Sequence, residues 1–401
     1  IRARFGCSLQ WREQTFPHPR SIMLEKAFTF FLLVSAVFAQ IEEPCRQDAY
    51  PPPENSKIKT VVLNLDSAPE ERWPHIVGPY KEEMADLIGV IKDLVPAKVI
   101  NFVDNYFPSI LTRLPEPYAG EIKGVADATG LNLGEAILYN IFYEIFTACT
   151  SIVGEDESGK LYHARNLDFG LLMGWDNKNN TWAITERLRR MMINVEYQSN
   201  GKTVFKAVHF AGYIGILTAV KPQTFTLTMN ERFALDGGYV GIFEWLLGIS
   251  QGQWMGFLTR TTLLNATDYQ TAVDMLSKTE MLAPAYFIVG GTKSGEATVI
   301  TRSRQKAIDT WKMDKSKGEW FLLETNYDHW KKPLFIDDRR TPGNKCMNEV
   351  TQKGMGLKGL FNVLSTKPNL NKLTTYTALM QVDAGSLDTY LQDCPDPCWP
   401  W

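Results

Sequence analysis

The sequence lacks any apolar run long enough to cross a bilayer. It also lacks any Lys/Arg block that could track a phosphate backbone, and any repeat or low-complexity segment. Lys and Arg number 42 against 45 Asp and Glu, a formal net charge of −3, so nucleic acid is not an expected partner. Histidine is scarce: His18, His75, His163, His209 and His329 are scattered, and none falls at a spacing such as H-E-x-x-H. No metal site and no cofactor are therefore expected. What the chain has is core. It is 44% hydrophobic over 401 residues, enough for one large domain or two smaller ones.

From Met23 the chain reads "MLEKAFTFFLLVSAVFAQ", a lysine, a short apolar run and small residues before Gln40. That pattern is expected to be a secretory signal peptide, with residues 1–39 outside the fold and a mature chain starting near Gln40. Two sequons, at Asn179 and Asn265, agree with that route as glycosylation acceptors. Setting Cys7 aside, the cysteines are Cys45, Cys149, Cys346, Cys394 and Cys398, an odd set for an oxidising compartment. Cys394 and Cys398, in "DCPDPC", lie close enough to bridge. Cys45 with Cys346 is the simplest remaining pair, and Cys149 is left over.

Between Trp73 and Phe146 apolar residues recur at helical spacing, and Asn132 with Glu135 has the form of a helix start. From Cys149 onward strand-like runs ending in turn residues dominate, with helical stretches at "GIFEWLLGI" and "WMGFLTRTTLLNATDYQTAVDMLSKT". This is an α+β layered pattern. Its boundary, Ala148–Cys149, has no linker composition, which suits a processing site better than a domain border.

"CTSIVGEDESGKLYHARN" reads as a hairpin centred on Glu157, which sets Arg165 opposite Cys149. Opposed Cβ atoms lie roughly 4.5–5.5 Å apart, and a one-residue slip reverses the face. A guanidinium beside the thiol favours thiolate. Asp168 is expected just past the strand end, near the same spot. The plainer alternative is a small buried hydrophobe beside a local ion pair.

"CTSIV" followed by "ARNLDFG" resembles the opening of the acid ceramidase family, grouped with N-acylethanolamine-hydrolysing acid amidases and bile salt hydrolases among N-terminal nucleophile hydrolases. The similarity continues through "GWDNKNNTWAITE", "LTMNERF", "GFLTRT", "APAYFIVGG", "TNYDHWKKP", "DDRRTP", "LSTKPNLNKLT" and "DCPDPC". The resemblance implies a four-layer αββα fold. It also implies self-cleavage between Ala148 and Cys149, giving a helical α-subunit (40–148) and a catalytic β-subunit (149–401) joined by Cys45–Cys346. Cys149 would be the nucleophile, with Arg165 and Asp168 orienting it. Asn326 would donate to the oxyanion, and Arg339 and Glu231 would line the site. Further implications are a lysosomal enzyme, also secreted, acting on ceramide and other N-acyl lipids at an anionic membrane surface, with a saposin-type lipid activator. N-acylethanolamine hydrolysis is the alternative, and a non-enzymatic secreted lipid-binding glycoprotein a remote one. At acidic pH the Cys149 α-amine must either have a lowered pKa or sit in an ammonium–thiolate pair.

"GISQG", around Ser250, fits the G-x-S-x-G pattern of serine hydrolases, with Asp328 and His329 downstream. It follows a helical pattern rather than the strand such an elbow needs. The apolar segments "GLLMGW", "FEWLLGI" and "QWMGFL" read either as core or as an acyl-chain groove and membrane-facing rim.

Overall fold

The runs that read as strands pair into two large sheets. The computed structural model describes residues 43–94, 96–142, 147–170, 174–233 and 240–398. The strands are β1 (Thr60–Asn64), β2 (Thr147–Glu155), β3 (Leu161–Phe169), β4 (Trp175–Asp176), β5 (Thr181–Trp182), β6 (Met192–Ser199), β7 (Lys202–Phe210), β8 (Thr218–Lys221) and β9 (Phe225–Glu231). They continue with β10 (Ala285–Gly290), β11 (Ala297–Arg302), β12 (Ala307–Lys312), β13 (Phe321–Glu324), β14 (Thr374–Gln381) and β15 (Ser386–Tyr390). One sheet has eight strands in the order β1-β6-β7-β8-β9-β10-β11-β12, the other five in the order β13-β2-β3-β14-β15, while β4 and β5 form a small separate ribbon.

Helices accompany the sheets. In the first part of the chain these are α1 (Lys81–Leu94), α2 (Ala97–Ile110), α3 (Tyr118–Thr129) and α4 (Leu133–Phe142). Later come α5 (Ala183–Arg190), α6 (Val240–Leu246), α7 (Met255–Asn265), α8 (Tyr269–Lys278), α9 (Arg340–Val350) and α10 (Leu357–Leu364). α7 and α8 pack on the eight-stranded sheet; α5, α9 and α10 pack on the five-stranded one; and β2 faces β9 and β10 across the interior. The layers therefore run helix, sheet, sheet, helix, as expected. Double coverage explains why β10 and β11 are buried along their whole length, whereas edge strand β12 alternates half-buried and exposed residues.

Two boundaries differ from the sequence reading. The segment 40–148 is not wholly helical: β1 joins the eight-stranded sheet, parallel to β6. The change of character at Ala148–Cys149 falls inside β2, which already begins at Thr147. The helix start at Asn132 is reciprocal: the Asn132 amide N–H donates to Glu135 Oε2, and Gly134 N–H donates to Asn132 Oδ1. A Cβ on Gly134 would lie 2.5 Å from the Val103 carbonyl, so only glycine allows α4 to cross α2 this closely.

A buried ion cluster ties the helical part to the sheets. Glu121 of α3 takes Arg260 of α7 with contacts of 2.5 and 2.6 Å, Trp73 Nε1 at 2.6 Å and Arg72 Nη1 at 2.9 Å. Arg260 also lies over the rings of Tyr118 and Tyr197. The Cys45–Cys346 disulfide links the same two parts, and Cys394–Cys398 closes the loop near the C-terminal end. Replacing Glu121 with Leu leaves Arg260 buried without its carboxylate, so stability should fall by about 3–5 kcal/mol in chemical denaturation.

Candidate active site

The β2–β3 register pairs Cys149 with Leu167 and Ser151 with Arg165. The expected pairing of Arg165 with Cys149 is thus two positions out, because the hairpin centres on Ser158 rather than Glu157. A shift of two keeps the face, and Arg165 reaches Cys149 diagonally: its Nη2 donates to the Cys149 sulfur. Nη1 is held by the carbonyls of Leu217 at 2.7 Å and Met229 at 3.0 Å, and by Thr218 Oγ1 at 3.1 Å. The Thr218 hydroxyl is in turn 2.8 Å from that of Tyr376. Among the described residues no carboxylate lies within ion-pair reach of Arg165, although it is fully buried.

Asp168 corrects the sequence reading in two ways. It lies within β3 rather than past its end, and it pairs with Ala148, on the face opposite the thiol. Its carboxylate accepts from Thr374 Oγ1 at 2.7 Å and Asn371 Nδ2 at 2.9 Å, and its cation is Arg339 at 3.6 Å, not Arg165. Burial raises its pKa against the pull of Arg339 and these donors.

Asn326, just beyond β13, spans Ala148. Its Oδ1 accepts the Cys149 amide N–H at 2.8 Å, while its Nδ2 donates to the Thr147 carbonyl at 3.2 Å and the Glu231 carbonyl at 2.7 Å. Glu231 Oε2 accepts the Thr147 N–H at 2.8 Å. Arg339 closes the arrangement: Nη1 donates to the Cys149 carbonyl, Nη2 to Asn326 Oδ1 at 2.7 Å, and Nε to Asp337 Oδ1 at 2.8 Å. Four backbone groups around the Ala148–Cys149 bond are therefore fixed by three side chains.

Cys149 is free and buried. Burial pushes its thiol up to about 11, outweighing the lowering by Arg165, while Asp168 and Glu231 push the same way as burial. The expected thiolate is thus not the state of the continuous chain, because lost hydration costs the anion more than the Arg165 and Arg339 guanidinium groups return.

The decoys resolve on geometry. Ser250 follows helix α6 rather than a strand. Asp328 pairs with Arg232 at 2.7 Å and His329 with Asp309 at 3.1 Å. His163 is bound to Thr226 and Thr228 between the sheets, His209 contacts Tyr197, and no metal-holding cluster occurs among the described residues. In "QWMGFL" Trp254, Met255, Phe257 and Leu258 are core, whereas "FEWLLGI" exposes Phe243 and Leu247. "GLLMGW" falls partly outside the described residues. Both sequon asparagines are exposed. Sequence reasoning missed Thr218, Tyr376, Asn371, Thr374 and Asp337. Three of these sit in quoted segments, Asn371 and Thr374 in "LSTKPNLNKLT" and Asp337 in "DDRRTP", but nothing in a linear pattern singles them out.

Residues 149–343 match the family model described as linear amide C-N hydrolases, choloylglycine hydrolase family, a match that starts at Cys149 itself. Residues 56–114 match the model for the beta subunit of N-acylethanolamine-hydrolyzing acid amidase. A solved Caenorhabditis elegans N-acylethanolamine-hydrolyzing acid amidase ortholog superposes with TM-score 0.52 at 30% identity, covering 61% of this chain and 100% of that one. Two facing sheets between helical layers, with a cysteine on a central strand, define an N-terminal nucleophile amidohydrolase. Acid ceramidase of Mus musculus is 46% identical over 391 residues (94% of this chain, 99% of the relative), and that of Homo sapiens 47% over 367 residues (90% and 93%). The chain belongs to the acid ceramidase family.

One buried group beside the site carries a pH signature. Glu324 ends β13; its Oε1 accepts the Thr325 N–H at 2.9 Å, and its Oε2 is buried with no hydrogen-bond partner. Burial pushes it up to about 8, with Arg340 and Arg232 opposing and Asp328 reinforcing. A folded-state pKa above the ordinary carboxyl value of 4.5 means that the folded chain holds this proton more tightly. The stabilisation is complete below that ordinary value and is lost as pH rises towards 8. Its slope is about 1.4 kcal/mol per pH unit. In denaturant titrations between these pH values the parent should lose stability relative to Glu324→Gln as pH rises, and an equal pH dependence in the two chains would refute the assignment.

Proposed function

We propose that this chain is a self-processed lysosomal amidase that hydrolyses the amide bond of ceramide to sphingosine and a fatty acid through a Cys149 thioester. The observation that carries the reading is the grip of Asn326, Glu231 and Arg339 on the backbone around Ala148–Cys149, with Arg165 on the thiol.

In the processing step the Cys149 sulfur attacks the Ala148 carbonyl carbon, and the Cys149 nitrogen leaves that carbon. Water then hydrolyses the resulting ester of sulfur, giving an Ala148 carboxylate, a free thiol and an α-amine on Cys149. The helical segment 40–148 and the sheet-rich 149–401 become two subunits, which Cys45–Cys346 and the Glu121–Arg260 pair keep together. The new α-amine lies beside the thiol and takes its proton as the sulfur adds to a lipid amide. The proton passes to the leaving sphingosine nitrogen, and water releases the fatty acid. Arg165, lacking a carboxylate of its own, is the natural counter-ion of the sulfur anion. Once residues 147 and 148 withdraw, the Asn326 Nδ2 that held the Thr147 carbonyl is free to donate to the substrate oxyanion. Asp168 fixes Arg339, and Arg339 fixes Asn326 through Oδ1.

Delivery of a two-chain lipid needs apolar surface. Phe243, Leu247 and Ile249 after the site strand β9, and Leu334, Phe335 and Ile336 in the loop before Arg339, are exposed. They support docking on a lipid surface, and Lys331 and Lys332 in the same loop suit anionic headgroups. A saposin-type activator, N-glycans on Asn179 and Asn265, and secretion alongside lysosomal delivery belong to the same proposal.

N-acylethanolamine hydrolysis is the second reading, favoured by the fold match and by the family model over residues 56–114. Turnover on ceramide and on palmitoylethanolamide separates the two: ceramide should be the faster substrate, and the reverse order would favour the second. Cys149→Ala should remain one uncut chain without amidase activity on a reducing gel and in the same assay. Asn326→Ala should lower kcat by about 10²–10³ in whatever fraction is cut.

A further inference from the structure

Asn230 has no role in the chemistry above, yet it sits at the junction of three strands of the site. It is fully buried on β9, on the face turned towards the five-stranded sheet. Its Nδ2 donates to two consecutive carbonyls, Glu324 at 3.1 Å and Thr325 at 2.9 Å, at the point where β13 ends and Asn326 follows. Its Oδ1 accepts from Ser151 Oγ at 2.9 Å, two residues from Cys149 on the nucleophile strand. Behind Ser151 the chain of hydroxyls runs on: Thr228 Oγ1 donates to Ser151 Oγ at 3.0 Å and lies 3.1 Å from His163 Nε2.

We propose that Asn230 is a positioning residue that sets the distance between the Asn326 amide and the Cys149 sulfur. The proposal rests on the functional reading above, in which those two groups do the chemistry. One planar amide spans both: its donor end fixes the backbone that presents Asn326, and its acceptor end fixes the strand that presents Cys149. The contact is reciprocated, since Asn326 Nδ2 donates to the Glu231 carbonyl and the Phe233 N–H donates to the Asn326 carbonyl. Asparagine is the residue the site requires: two carbonyls need two N–H groups, and a hydroxyl donor needs an acceptor on the same rigid plane. A carboxylate of the same shape would keep the Ser151 bond and set an oxygen against two carbonyl oxygens.

The test is Asn230→Asp in the full chain, assayed on ceramide from pH 4 to 7, with kcat expressed per titratable active-site thiol and thermal unfolding run alongside. The expected result is a kcat lower by about 10-fold to 100-fold at the upper end of the range, with KM within about twofold of the parent. Activity should recover as pH falls, because the protonated carboxyl regains one O–H donor towards the carbonyls. A chain that stays folded but uncut also supports the proposal, since the same amide is aligned before cleavage. A kcat per thiol and a pH profile equal to the parent's, whatever the change in melting temperature, overturn it. If the aspartate variant is not recovered folded, Ser151→Ala decides. A loss of roughly threefold or more in kcat at unchanged KM supports the link, and an unchanged kcat overturns it. Amidase activity in Cys149→Ala would overturn the functional reading itself, and this proposal with it.

Discussion

The carboxamide of Asn326 touches both sides of Ala148, accepting from the amide that follows it and donating to the carbonyl that precedes it. A relay of buried side chains holds that contact. Arg339 presses on Asn326 Oδ1 from behind, Asp337 and Asp168 hold Arg339, and Thr374 and Asn371 hold Asp168. Such a chain of buried charges and amides survives only because each member is paired, since an unpaired buried polar group costs about 1–3 kcal/mol. The five-stranded sheet provides the rigidity: β2 is paired with β3 along its whole length and with β13 from Ser151 to Gly154, which anchors the strand that bears Cys149.

The electrostatics divide into two compartments on the two faces of β2. On one face Arg339 is compensated by Asp337 and Asp168. On the other Arg165 is surrounded by carbonyls, a hydroxyl and sulfur. The uncompensated cation faces the sulfur that the proposed mechanism turns into an anion. In the continuous chain burial still wins and keeps the thiol protonated. A reactive sulfur sealed in this state is protected from alkylation and oxidation, whose rates follow thiolate content and exposure. On the proposed reading, opening the chain beside it would change both terms at once and so couple activity to processing.

Much of this was legible in the linear sequence, for identifiable reasons. Period-two patterning and turn residues located the β2–β3 hairpin, and parity alone put Arg165 on the thiol's face even though the turn centre was misjudged by one residue. Cysteine arithmetic left Cys149 unpaired because Cys394 and Cys398 are adjacent in space for purely local reasons. The side assigned to Asp168 was not legible, because whether a residue at a strand end continues the pleat depends on its partner strand, here β14. Nor was the protonation state of the thiol, since a guanidinium neighbour can be read from spacing but the depth of burial comes from the second sheet. Thr218, Tyr376 and Asn230 act from strands distant in sequence, and no local pattern marks them. β1 was missed because its pairing is with β6, far along the chain.

On the proposed reading the Ala148–Cys149 peptide bond breaks and leaves the sulfur-bearing residue at the head of its own chain. Intact-mass analysis and N-terminal sequencing of the purified, deglycosylated and reduced active protein test it directly. The expected result is a chain whose first residue is Cys149 and a smaller partner ending at Ala148. An active enzyme whose Cys149 remains in the middle of an unbroken chain, or whose second chain begins at another residue, would contradict it.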